Sequence, residues 1–245
     1  MSGTKQERSS AGMLGDFSPL DGSVEFYGRV SAFLRPEFTV VDLGAGRGGW
    51  YVDGEISVLQ RSLRTLKGRV AKVIGVDIDA AVLTNPSTDE NLLILNGRLP
   101  LEDASADVVI ADFVLEHLGD PLQVEAEVWR VLRPGGLFCA RTPHALNYVS
   151  LGARIAGRTR RDRLLLAAQP SRNRVDIFDT RYRCNTMRQL KHIFRPNRWT
   201  SYSYLYAAEP SYDFGSKAVY SVLRLCHRLL PLPLVGNIFV FEVKR

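Results

Sequence analysis

Val40-Val-Asp-Leu-Gly-Ala-Gly-Arg-Gly-Gly49 is the stretch that decides the fold of this 245-residue chain. Apolar β-branched residues run into an acid, Asp42, and then into a bend whose Gly44, Gly46 and Gly49 satisfy the spacing G-x-G-x-x-G. A short buried strand that breaks into glycines ahead of a helix is the opening turn of an open α/β sheet. The glycines let the backbone approach a ligand with no Cβ in the way. That spacing occurs in nicotinamide and flavin enzymes as well, so the neighbouring residues must say what the bend holds.

Outward from the bend, the elements alternate. Upstream, Val24 to Leu34 carries apolar residues at helical spacing and stops before Pro36, and Phe38 to Asp42 reads as the first buried strand. Downstream, Ile56 to Leu66 is a helical stripe ended by Gly68. Strands follow at Lys72–Asp77, Leu92–Leu95, Asp107–Asp112 and Leu137–Arg141, with an amphipathic helix at Pro121–Leu132 closed by Arg133-Pro-Gly-Gly136. Apolar strands alternating with helices predict a mostly parallel, Rossmann-like sheet with helices on both faces. After Arg141 the rhythm breaks. Helices are expected at Tyr148–Ile155, Thr186–Phe194 and Ser216–Leu230, and strands at Trp199–Tyr206 and Asn237–Val243.

This divides the chain into a flexible N-terminal tail (1–20, with Met1 to Gly12 disordered), a cofactor-binding core (21–143), a basic lid or acceptor-binding insertion (144–198), and C-terminal strands that complete the sheet (199–245). At 45% hydrophobic and 24% charged, the chain can bury one good core. Cys139, Cys184 and Cys226 are too far apart and too few for a disulfide framework or a metal-ligand set, and no metal is expected. With no apolar leader and no run of transmembrane length, the expected location is cytoplasmic. Charge is unevenly spread. Residues 1–140 hold 13 Lys+Arg against 20 Asp+Glu, a net −7, whereas 141–200 hold 14 against 3, a net +11. A basic second half suits an anionic partner or a solvated arginine face.

The acids beside the bend narrow the ligand. A carboxylate at Asp42 would repel a pyrophosphate laid on the following helix N-terminus. It would favour S-adenosylmethionine, which has no phosphate and carries a sulfonium and an ammonium. Asp77 ends the second strand, where two carboxylate oxygens match the vicinal hydroxyls of a ribose. Asp79, in the next turn, reads as a helix cap.

Four blocks in order carry a family resemblance: Val41-Asp-Leu-Gly-Ala-Gly46; Gly75-Val-Asp77; Leu99-Pro100 with Ala106-Asp-Val-Val109; and Leu115-Glu-His117 with Arg130-Val-Leu-Arg-Pro-Gly-Gly136. Over Thr39 to Pro143 the chain resembles the class I S-adenosylmethionine-dependent methyltransferases, and within them the type 11 group with its uncharacterised bacterial members. The resemblance implies seven strands with the last antiparallel, and S-adenosylmethionine as cofactor with S-adenosylhomocysteine as product. It implies Asp42, Gly44, Ala45 and Gly46 at the methionine end, Asp77 on the ribose, and Ile78 among the cofactor-binding residues. Asn96 and Gly97 fall at the adenine, in a run one residue shorter than the family's, and Asp112 and Phe113 near the sulfonium. A long interval between Gly49 and Asp77, with Trp50-Tyr-Val-Asp53, suggests an added loop over the cofactor.

For the acceptor side, His144 lies just after the fifth strand, and His117 with Glu116 offers a general base pair or a structural turn. Tyr148 is a substrate-contact candidate. Arg181 and Arg183, in a stretch of charges and aromatics from Asp176, would hold an anionic group. Arg154, Arg158, Arg160, Arg161 and Arg163 lack interleaved aromatics, which argues against nucleic acid. Ala218 to Leu234 is apolar with clustered Arg224, His227 and Arg228, and suits packing on the sheet or a twin subunit, or a membrane interface. The expected function is O-methylation of a small-molecule or glycan-type, acidic acceptor. The rivals are a nicotinamide-dependent oxidoreductase and a non-catalytic S-adenosylmethionine-binding protein.

Overall fold

The computed structural model describes residues 17–52, 56–152, 179–210 and 216–245. The arginine cluster at 154–163, the expected disordered tail at 1–12 and the start of the Asp176 stretch lie outside them. Of the expected tail, residues 17–20 are described and docked: Ser18 is buried, and the Leu20 carbonyl accepts from the Glu209 N–H at 3.0 Å.

Eight strands form one sheet: β1 Thr39–Leu43, β2 Lys72–Asp77, β3 Glu90–Leu93, β4 Ala106–Asp112, β5 Leu132–Pro143, β6 Trp199–Ser201, β7 Tyr204–Tyr206 and β8 Asn237–Lys244. Their order is β3-β2-β1-β4-β5-β8-β6, with β7 also on β8. The first five run parallel, and β8 lies antiparallel to β5 from Leu137↔Val243 to Pro143↔Asn237. The principal helices are α1 Gly22–Phe33, α2 Val58–Arg64, α3 Pro121–Val131, α4 Met187–Ile193 and α5 Lys217–Leu229.

The central strands β1, β2 and β4 are apolar on consecutive residues because both faces are buried. Val41, Ile74 and Val109 pack on one side with Val128, Val131, Leu190 and Trp199. Their neighbours Val40, Val73 and Val108 pack on the other with Phe26, Tyr27, Val30 and Leu66. Side chains alternate across a strand, so consecutive residues feed opposite layers.

Two departures from the expected elements have local causes. The expected strand Trp199–Tyr206 is split into β6 and β7, which makes eight strands of the expected seven. The register stays in phase across the break, with Ser201↔Glu242 before it and Tyr204↔Phe239 after it. Buried Glu242 accepts from the hydroxyls of Ser201 at 2.6 Å and Ser203 at 2.8 Å, so Ser203 is recruited to a carboxylate instead of the ladder. The Arg133–Gly136 corner, expected to close a helix, is a protrusion within β5: Ala106 pairs with Leu132 and Val108 with Leu137. Gly135 turns there at φ +77°.

Candidate active site

Strand order puts the C-terminal tips of β1, β2, β4 and β5 side by side, and there the order of an open parallel sheet reverses about β1. The bend after β1 turns through three left-handed glycines, Gly44 (φ +75°), Gly46 (φ +53°) and Gly48 (φ +66°). Gly49 instead begins the helical turn Gly49–Val52. A Cβ on Gly44 would sit 2.4 Å from Val114 Cγ2, and one on Gly48 would sit 2.1 Å from Asn85 Oδ1. At Gly46 a Cβ would meet nothing within 4 Å.

Asn85 was missed by sequence reasoning because no motif marks it. Buried below the bend, it donates from Nδ2 to the carbonyls of Ala45 (3.0 Å) and Gly46 (3.1 Å), while its Oδ1 accepts from the Ser87 N–H. It fixes two carbonyls that would otherwise lack partners, and so holds the bend's shape.

Asp42, partly buried at the tip of β1, accepts no hydrogen bond from the described side chains or backbone. Burial is the main reason its carboxyl is pushed up to about 7; the charges of Asp112 and Asp77 add to the shift, and that of Arg64 opposes it. Asp77 accepts from the N–H groups of Gly46 and Asp79, each at 2.9 Å, one on each oxygen. Each oxygen keeps a lone pair for a diol. Asp79 caps the 3₁₀ turn Ala80–Thr84 by accepting from the Ala81 N–H at 2.9 Å, as expected. Ile78, 74% exposed, stands directly after Asp77 and offers an apolar face to a planar base.

Asn96 and Gly97 stand at φ +55° and +71°, between Leu95 and Arg98, which form a bridge. Asn-Gly with both residues left-handed is the preferred two-residue hairpin turn, so backbone geometry alone accounts for this pair. The structure places Asn96 at an exposed tip beyond β3.

Asp112 is engaged differently from the other acids. Arg141 grips it through Nε and through Nη2 at 3.0 Å, Tyr27 Oη donates to it at 3.0 Å, and Arg64 lies 3.6 Å away. Burial works against its charge, but the charge and hydrogen bonds of Arg141, with Arg64 and Tyr27, hold the carboxyl below the usual carboxylate range. Arg141 also lies 4.8 Å from the ring of Phe113, whose backbone is left-handed at φ +57°. Arg64 stacks 4.4 Å over Trp50, so the sequence between Gly49 and Asp77 supplies an aromatic shelf beside Asp42.

The acceptor-side residues fall into two groups. His144 is buried. Its Nδ1 accepts from the Leu146 N–H at 3.2 Å, and a further backbone hydrogen bond joins its ring to Pro233. Burial lowers its pKa, so it is a neutral ring bound to backbone. His117 Nδ1 meets the Asp179 carbonyl at 2.9 Å. Arg183 donates to the Gly119 carbonyl at 2.6 Å, and the Arg181 N–H donates to the Glu116 carbonyl at 2.7 Å, which brings both arginines onto the turn after β4. Tyr148 lies apart from them and packs edge-on against His227. Beneath them a buried chain went unseen in the sequence: Thr142 Oγ1 donates to Glu116 at 2.8 Å and accepts from Asn185 Nδ2 at 2.6 Å. No cluster suited to a metal occurs among the described residues.

Residues 58–140 match the family described as a methyltransferase domain, a stretch that begins after the glycine bend. The chain is 42% identical over 85 residues to a probable S-adenosylmethionine-dependent methyltransferase of Mycolicibacterium smegmatis, covering 31% of this chain and 32% of that protein. It is 34% identical over 116 residues to a demethylmenaquinone methyltransferase of Lactococcus lactis, covering 43% and 42%. The chain thus spans less than half the length of these curated relatives. Its fold is shared by a putative methyltransferase complexed with the Trm112 activator of Haloferax volcanii (TM-score 0.57, 20% identity, 89% and 88% covered). It is shared also by a geranyl diphosphate C-methyltransferase of Streptomyces coelicolor (0.56, 14%, 91% and 76%). Residues 58–140 thus match a methyltransferase domain, and the chain's strand order is the fold it shares with these solved methyltransferases.

Proposed function

We propose that the chain binds S-adenosylmethionine across the tips of β1 and β2 and transfers its methyl group to an oxygen of a small-molecule or glycan-type acceptor that is itself acidic. Asp42 carries this reading. A carboxyl that burial has raised to about 7, beside left-handed glycines and with no hydrogen-bond donor among the described residues, is suited to a cationic ligand and unsuited to a pyrophosphate. The residues fit the cofactor: Asp42 for the ammonium, Asp77 for the ribose, Ile78 for the adenine and Gly46 for a close backbone approach.

When bound, the cofactor supplies a methyl already activated by its sulfonium. The chain's contribution is then to orient and to exclude water. The Asp112–Arg141 pair fixes the tips of β4 and β5, and Asn85 fixes the bend. His144 is bound to backbone on both sides of its ring, which leaves proton removal to the acceptor's own acidity. A carboxylate or phenolate acceptor needs no base, and Arg181 and Arg183 beside the turn after β4 would draw such an anion. A non-catalytic binding role is separated from catalysis by turnover. Mass spectrometry of extract metabolites and glycans, after incubation with methyl-labelled cofactor, should show a labelled acidic product. Cofactor binding with no labelled product would overturn the catalytic reading.

A further inference from the structure

Helix α5 buries none of its residues. Its inner side rests on the body through Tyr220, whose hydroxyl donates to Glu209, and through His227, whose ring meets Tyr148 edge-on at 5.8 Å. At helical spacing Ala218, Val222, Leu225 and Leu229 form one row on another face. Val222 is 61% exposed, Leu225 55% and Leu229 73%, and Leu230 and Leu232 continue the apolar surface beyond the helix end. Lys217, Arg224 and Arg228 flank one edge of this row. From Ser216 to Phe241 there is no acid.

We propose that this face docks the protein on an anionic phospholipid bilayer. An apolar row bordered by cations is the pattern of a helix lying in the headgroup layer, with leucines among the acyl chains and cations on the lipid phosphates. Thirteen residues are too short to cross the roughly 30 Å hydrocarbon core, so the helix lies along the surface. A second copy is a poor occupant. Pairing this face with itself sets cation against cation with no acid between Ser216 and Phe241 to offset them, whereas phosphates complement the row. The helix also packs on Tyr148, shortly after the C-terminal end of β5, at the end of the sheet that holds Asp42 and Asp77. A docked chain would therefore hold its cofactor cleft close to the bilayer. The proposal goes beyond methyl transfer and stands without it.

The test is co-sedimentation of the full chain with vesicles of phosphatidylcholine alone and of phosphatidylcholine with phosphatidylglycerol. The chain should bind the mixed vesicles and bind them less at raised salt. Leu225→Asp with Leu229→Asp should lower that binding about tenfold or more at an unchanged melting temperature. Arg224→Gln with Arg228→Gln should remove the preference for phosphatidylglycerol. Failure of the unaltered chain to bind mixed vesicles, equal binding by the double aspartate variant, or elution as a dimer that this variant splits would each overturn the proposal. S-adenosylhomocysteine affinity, measured alongside, reports on the proposed function separately.

Discussion

Arg141 and Asp112, at the tips of adjacent strands β5 and β4, are joined by two hydrogen bonds from one guanidinium, with both side chains under 10% exposed. A buried pair of this kind is costly to halve, because the survivor is left charged and unpaired. Asp112→Ala should therefore destabilise the fold by about 3–5 kcal/mol, seen as a lower melting temperature. Asp112→Ala with Arg141→Met should cost less than the two single changes added together. Additive losses in that double-mutant cycle would show that the pair is not coupled.

Asp42 ties stability to pH with a defined sign. Its carboxyl rises from 3.8 to about 7 on folding, so within that interval the folded chain holds a proton that the unfolded chain has lost. Without ligand, the stability associated with Asp42 is complete below pH 3.8 and drains away as pH rises to about 7. Asp42→Asn should stabilise the ligand-free protein at pH 8 by on the order of 2–4 kcal/mol, seen as a higher melting temperature, and change it little near pH 3.5. In the unaltered chain, affinity for S-adenosylmethionine should fall by up to about tenfold per pH unit below 7, since the proton must leave before a cation can pair. Calorimetry across pH 5 to 8 measures this (about two decades of affinity, between pH 5 and 7, at the limiting slope); a flat profile would contradict it.

The glycine bend gives a graded set of substitutions. Gly44→Ala and Gly48→Ala combine a left-handed φ with contacts at 2.4 and 2.1 Å, and both should abolish cofactor binding. Gly46→Ala meets nothing, and should cost about 1 kcal/mol of stability through its φ while still impairing binding where the cleft approaches. Gly28→Ala, in α1 with open space around it, should stabilise by about 0.5–1 kcal/mol and serves as the control.

The buried Glu116–Thr142–Asn185 chain predicts a polar cost with little packing change. Thr142→Val keeps the shape but removes the hydroxyl that donates to Glu116 and accepts from Asn185, and should destabilise by about 1–3 kcal/mol in a denaturant titration. An unchanged midpoint would mean that another group already satisfies them.

What the sequence made legible follows from how local each signal is. Strands β1, β2 and β4 are apolar on consecutive residues because both faces are buried, and that shows in composition alone. Asp42 and Asp77 stand out because an acid ends an apolar run at a fixed distance from glycines. Asn85 and Arg64 act on the bend from other elements, and no spacing in the chain announces such a contact. Asn96-Gly97 reads from the resemblance as an adenine contact, and the turn geometry of its backbone comes from the structure. The break at Tyr202-Ser203 depends on the buried Glu242, some 40 residues away in the chain, which no window along the sequence contains.

Asp42 would make the bend a site for a cationic sulfur ligand. Isothermal titration of S-adenosylmethionine and of NADH, at pH 8, into the unaltered chain and into Asp42→Ala tests it most directly. The unaltered chain should bind S-adenosylmethionine and not NADH, and Asp42→Ala should weaken this binding at least about tenfold while remaining folded. Equal affinity in Asp42→Ala, or tighter binding of NADH by the unaltered chain, would contradict it.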